Sequence, residues 1–347
     1  MSISKTLTAS IGIFLSLTFI DDGGQCEAKD GDKNDRSALT WTDPKLAAAE
    51  DPDFTIQGEY GLNEQGAPWG VQVVALGGGA FDAYLLEGGL PGLGWTKAKS
   101  RVRLNGKRSE NVVQFSSEDR SATAVIADGK ISVSRSDKVI AELPRIERKS
   151  PTLGAQPSEG AVVLFDGSST DAWVNGVIND GLLLNSNVTT KDSFEDYTLH
   201  LEFRTPYKPY ARGQERGNSG VYQQGRYETQ VLDSFGLEGL MNETGGVYSI
   251  ADPLLNMCLP PLTWQTYDID FTAARFDDQD KLTKHARINV RLNGIVVQND
   301  LELPKTTTAA PVKQITRKPG PLFLQQHNNA VYYRNIWIVP KKSSNGE

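Results

Sequence analysis

Apolar and polar residues alternate along most of this chain, in short runs broken by glycine and proline, a pattern that predicts strands. Tyr197–Arg204 shows it most cleanly: Leu199, Leu201 and Phe203 point one way, and His200, Glu202 and Arg204 the other. Residues 53–148 carry WGVQVVAL, FDAYLLEGGL, NVVQFSS and ATAVIADGKISVSR, separated by glycine-containing turns. Residues 161–340 carry roughly ten more runs and no convincing helix, which predicts a two-sheet β-sandwich preceded by a smaller accessory β domain. Asp128-Gly129 and Asn293-Gly294 each sit between two runs and predict tight hairpins, because such turns need positive φ. Asn105-Gly106 reads the same way. Residues 149–160 (KSPTLGAQPSEG) lack periodicity and form a linker.

The start of the chain reads differently. Met1–Lys5 is basic, Leu7–Ile20 is apolar, and Cys26-Glu27-Ala28 offers small residues for cleavage, so residues 1–28 read as a signal peptide and the protein as secreted or periplasmic. The apolar run is too short to span a bilayer comfortably. Removal of the signal leaves Cys258 alone, and no disulfide can form within the chain. Residues 29–52 are a flexible lead-in with one short helix, Pro44–Glu50, capped by Asp43.

Composition adds exclusions. With 347 residues, 38% hydrophobic and 23% charged, the chain can bury two ordinary cores. A net charge of -7 without a basic cluster argues against nucleic acid. Histidine- or cysteine-based metal motifs are absent; Asp277, Asp278 and Asp280 cluster in a loop that offers oxygen ligands to a divalent cation such as calcium, with a solvated acidic turn the plainer reading. Gly77-Gly78-Gly79 is a turn, since no phosphate-loop Lys-Ser/Thr follows.

The stretch Gly217–Asp233, GNSGVYQQGRYETQVLD, is too polar for a plain solvent-facing strand and is the expected working surface. Glu228 and Gln230 share a strand face, joined by Arg226; Asp233 reaches that face only through a bulge after Gln230. Glu202 on Tyr197–Arg204 is the expected carboxylate partner of Glu228, with Arg204 beside it. His327, one of three histidines, follows Gln325 at a strand end. Asn218 and Tyr222 complete the expected binding residues.

LFDG (164–167), YTLHLEFR (197–204), GNSGVY (217–222), GRYETQVLDS (225–234), WQTYDIDF (264–271), ARINVRLNGIVVQND (286–300), PGPLFLQQH (319–327) and YRNIWIVP (333–340) occur in this order. In that order they resemble the 3-keto-disaccharide hydrolase family, over about half the chain. The chain departs from the family pattern at Gln326 and Asn328 and in a longer Tyr207–Glu215 segment. The resemblance implies a concanavalin-like jelly roll acting on glycosides oxidised at C3, supplied by an upstream sugar 3-dehydrogenase. The ketone acidifies the C2 proton, so one base suffices. The expected roles are Glu228 as base, Arg226 or Arg204 with Gln230 as donors to the enolate or hydroxyls, and His327 or Asp233 as proton donor. Two alternatives stay open: a non-catalytic carbohydrate-binding jelly roll, and a conventional β-glucanase-like glycosidase, whose Glu-x-Asp-x-x-Glu run Glu228, Gln230 and Asp233 match in part.

Overall fold

The computed structural model describes residue 36 and residues 39–341; the signal segment, Cys26 and the first part of the lead-in lie outside the described residues. Among the described residues the protein is all-β apart from two short helices and one 3-10 turn. Helix α1 (Pro44–Glu50) starts as its sequence dictates, with Asp43 accepting from the Lys45 and Leu46 N–H groups and proline in the first turn. A second helix, α2 (Pro52–Ile56), repeats the arrangement with Asp51 as cap.

Eight antiparallel strands between Gly58 and Ile146 run as a meander and close into a barrel, because Gly58–Tyr60 pairs with both Trp69–Gly77 and Lys138–Ile146. Alternate residues such as Val71, Val73, Ala75, Ala122, Ala124 and Ile126 fill its interior. Asp128 and Gly129 both take positive φ, as the predicted hairpin requires. Asn105-Gly106 is not a turn. It lies inside the continuous strand Arg101–Ser109, and glycine is needed there because a Cβ would meet the Phe115 ring at 2.3 Å.

The second part is a two-sheet sandwich of jelly-roll type. One sheet orders Trp173–Val174, Val188–Thr190, Phe323–Leu324, Ser219–Gln223 and Tyr227–Val231. The other places Tyr197–Arg204 between Tyr332–Pro340 and Gln265–Thr272, followed by Ala286–Leu292 and Ile295–Leu303, joined by the predicted Asn293-Gly294 hairpin. Leu199, Leu201 and Phe203 from this sheet meet Val221, Tyr227 and Val231 from the first in a shared core.

Barrel and sandwich are keyed together. Tyr207 and Leu262 of the sandwich sit in the barrel core with Trp41, and the Tyr207 hydroxyl donates to Asp51 at 2.9 Å. Lys97 of the barrel donates to the Gly239 and Pro253 carbonyls, and Arg212 donates to the Leu76 carbonyl. The barrel therefore supports the loops 206–217 and 234–254 that flank the first sheet. The 149–160 segment is docked as well: Thr152 donates to Asp268, and the Gly154 N–H donates to Glu202.

Candidate active site

Strand register arranges the outer face of the five-stranded sheet in two rows. Val174, Thr189, Phe323, Tyr222 and Glu228 oppose one another on successive strands. Tyr248, whose N–H donates to the Glu228 carbonyl, extends this row past the last strand. In the next row Gln325, Gly220, Gln230 and Gly246 are neighbours, linked by Gln325 N–H to the Gly220 carbonyl and Gln230 N–H to the Gly246 carbonyl. Their sequence neighbours Leu324, Val221, Tyr227, Val231 and Val247 face the core, which fixes the parity of both rows.

Glu228 is the buried acid of this face. It is 3% exposed, and its carboxylate lies over Gly220, with Oε1 2.4 Å from where a Cβ would stand. Burial pushes the carboxyl up to about 7, against an opposing hydrogen bond from the Tyr222 hydroxyl. Gln325 Nε2 donates to Tyr222 Oη at 2.9 Å, so a chain of donors runs Gln325 to Tyr222 to Glu228. Phe323 packs edge-on against Tyr222, with centroids 5.2 Å apart. A carboxyl near neutrality, fixed by a donor and shielded from water, is suited to moving a proton.

That burial carries a stability signature. The folded carboxyl holds its proton more tightly than the unfolded one, so its contribution is intact below about pH 4.5 and lost as pH rises through about 7. Glu228→Gln, which cannot ionise, is expected to resemble wild type in denaturant midpoint at about pH 4 and to exceed it above about pH 8 by roughly 3 kcal/mol. A difference independent of pH would mean that the folded protein solvates the charge.

Several expected partners are elsewhere. Glu202 lies on the outer face of the other sheet, across the core from Glu228, and the two form no carboxylate pair. Burial alone would raise the Glu202 carboxyl. Hydrogen bonds from His200, Asn335, the Gly154 N–H and Arg334 outweigh it and hold the group at about 2. Arg204 shares that distant face, donates to the Thr42 carbonyl and stacks 4.9 Å from the Trp264 ring centroid. Arg226 stands in the turn, where strand alternation no longer applies. Its guanidinium is spent on the Gln314 and Lys318 carbonyls, Gln224 Oε1 and Thr316 Oγ1.

The bulge after Gln230 is absent, since Ser219–Gln223 and Tyr227–Val231 pair without a register shift. Asp233 falls past the strand end, fully buried, with Arg216 Nε donating to it at 2.7 Å. His327 is exposed in the loop after Gln325, and the Asn329 side chain donates to its carbonyl at 2.7 Å. In the 277–280 turn Asp277 accepts from the Gln279 and Lys281 N–H groups, and Asp280 pairs with Arg317. Among the described residues no three His, Cys, Asp or Glu side chains are grouped to hold a metal ion.

Tyr222, Gln230, Gln325 and Asn218 do gather around Glu228. Asn218 Oδ1 accepts from Gln230 Nε2 at 2.8 Å. Gln214, which the sequence did not single out, joins them by accepting from Asn218 Nδ2 at 3.1 Å. Lys208 is a second addition: it is buried and donates to Asn329 Oδ1, which also accepts from the Gly217 N–H. Both belong to the Tyr207–Glu215 segment, whose only sequence signal was its extra length.

Glu228 is thus a buried, hydrogen-bonded acid on the outer sheet face of a jelly-roll sandwich. Residues 160–339, more than half of the chain, match the model of the 3-keto-alpha-glucoside-1,2-lyase-like domain, and the chain belongs to that family. Two solved structures from Parabacteroides distasonis ATCC 8503, both described as candidate glycosyl hydrolases, are similar to it. One is 33% identical, over 53% of this chain and 84% of its own, with a TM-score of 0.49. The other is 19% identical, over 53% and 95%, with a TM-score of 0.40. No curated protein matches the chain.

Proposed function

We propose that this protein cleaves glycosides whose sugar carries a ketone at C3, with Glu228 as the base that removes the C2 proton. The observation that carries this reading is the Glu228 carboxyl, buried, raised to about 7 and held by Tyr222 within the family domain. As Glu228 takes the proton, the C2–H electron pair is delocalised onto the C3 oxygen as an enolate. The enolate then re-forms the ketone, makes a C1–C2 double bond and breaks the bond from C1 to the leaving oxygen. That oxygen takes a proton from Tyr248, half-buried on the other side of Glu228. Protonated Glu228 then returns its proton to C2 as water adds its oxygen to C1, and the proton that the water gives up restores the Tyr248 hydroxyl, which yields the free 3-keto sugar. The substrate must come from an enzyme that oxidises a sugar C3 hydroxyl, and we place both partners outside the cytoplasm.

A conventional retaining glycosidase requires two carboxyls about 5–5.5 Å apart. Glu202 lies on the other sheet across the core, and Asp233 is paired with Arg216 past the strand end, which favours the single-base route.

The test compares wild type and Glu228→Gln on a 3-keto-glucoside and on its unoxidised parent. Wild type is expected to turn over the ketone alone, with kcat/KM rising to a plateau above about pH 7. The variant is expected to lose about 10²–10⁴-fold. Unchanged turnover in Glu228→Gln would remove Glu228 from the mechanism.

A further inference from the structure

Gln230 is 1% exposed, and its Oε1 is buried without a hydrogen-bond partner among the described residues. A buried acceptor left unmet is costly, so its orientation matters. Three amides in series fix it. Gln214 Nε2 donates to the Asn242 backbone carbonyl at 2.9 Å, and a carbonyl only accepts. Gln214 must therefore turn its Oε1 toward Asn218, which donates Nδ2 to it at 3.1 Å. Asn218 then presents Oδ1 to Gln230, which donates Nε2 at 2.8 Å. Flipping any one amide sets two donors or two acceptors against each other. Gln230 thus keeps its Oε1 as an unpaired acceptor on the sheet face it shares with Glu228, the opposite of the donor role its sequence context suggested.

Its position identifies what it accepts from. Gln230 lies two residues from Glu228 on the same sheet face and directly opposite Gly220, the glycine over which the Glu228 carboxylate lies. A sugar carbon that presents its hydrogen to Glu228 carries one hydroxyl nearer to that hydrogen than any other, the hydroxyl on the same carbon. We propose that Gln230 Oε1 accepts the hydrogen bond of the sugar 2-hydroxyl, orienting C2–H toward Glu228 and making a free 2-hydroxyl a condition of turnover. This rests on the reading of Glu228 as the C2 base. It restricts the substrates to 3-keto sugars bearing a free 2-hydroxyl and excludes their 2-deoxy and 2-O-methyl counterparts, although each of those retains a removable C2 hydrogen.

The test measures kcat/KM of the full chain on a 3-keto-glucoside and on its 2-deoxy analogue, for wild type and Gln230→Met. A site built to bond a hydroxyl rejects the analogue lacking it strongly, so wild type should prefer the parent by at least about 10²-fold. Gln230→Met should lose activity on the parent and most of that preference, leaving the two substrates within about tenfold, with the pH dependence set by Glu228 unchanged. Equal losses on both substrates would mark Gln230 as structural and overturn the proposal. So would wild-type turnover of the 2-deoxy compound at the parental rate, a comparison that needs no variant to fold. Failure of the catalytic reading is separable. If wild type turns over neither ketone, calorimetric binding of the same two compounds still decides: weaker binding of the 2-deoxy compound supports Gln230 as the acceptor, and equal binding refutes it.

Discussion

Gly220→Ala is expected to reduce turnover of a 3-keto-glucoside by on the order of 10²-fold or more while the sandwich still folds. The new methyl carbon would stand 2.4 Å from Glu228 Oε1, 3.0 Å from Glu228 Cδ and 2.8 Å from Tyr222 Cε2. The Tyr222 ring is fully buried against Phe323 and has nowhere to go. The carboxylate is the movable end, so it swings off Gly220 and leaves the Tyr222 hydroxyl. The backbone does not object, because Gly220 sits in an ordinary strand without positive φ. Stability should fall by only about 1–3 kcal/mol, the usual cost of overpacking. Paired measurements of kcat/KM and of the denaturant midpoint separate the two effects. Full activity in a folded Gly220→Ala protein would show that the carboxylate position over this glycine is irrelevant to chemistry.

Gly220 also marks what the sequence could tell. A Gly-Asn-Ser-Gly entry into an alternating run reads as a close approach, and the Glu228 carboxylate does occupy the space over Gly220. Alternation within one strand was equally legible, and Tyr197–Arg204 divides its faces as written. Alternation does not say which sheet a strand joins, and for that reason Glu202 was set beside Glu228 when the core separates them. It also stops at a turn: Gln224 and Gly225 take positive φ, and Arg226 leaves the face that Glu228 and Gln230 share. Gln214 could not be read at all, because its role depends on a backbone carbonyl 28 residues away in another loop. The same limit hid the barrel, whose closure pairs Glu59 with Ile146. Alternation assigns faces within a strand, but Asn-Gly makes a turn at 293–294 and not at 105–106, and partners across long separations come only from the assembled fold.

Arg216 illustrates that last kind of contact and carries the second large effect. Its guanidinium donates to Asp233 Oδ2 at 2.7 Å and to the Ala75 carbonyl of the barrel at 3.2 Å, while its own carbonyl accepts from the Asp233 N–H. Both side chains are almost wholly removed from water. Burial pushes the Asp233 carboxyl up, and Arg216 opposes that rise. Arg216→Met fills similar space but strands a buried carboxylate, which is expected to cost about 3–5 kcal/mol in chemical denaturation. With its partner gone, Asp233 should hold its proton more tightly than in the unfolded chain. The loss should therefore be largest at high pH and shrink as pH falls and the carboxyl is neutralised. Asp233→Asn on the Arg216→Met background removes the charge and should recover most of the loss, because the penalty belongs to the unpaired ion rather than to the missing pair. A single Arg216→Met protein as stable as wild type at neutral pH would mean that Asp233 reaches water or another cation, and that this ion pair does not secure the sandwich loop to the barrel.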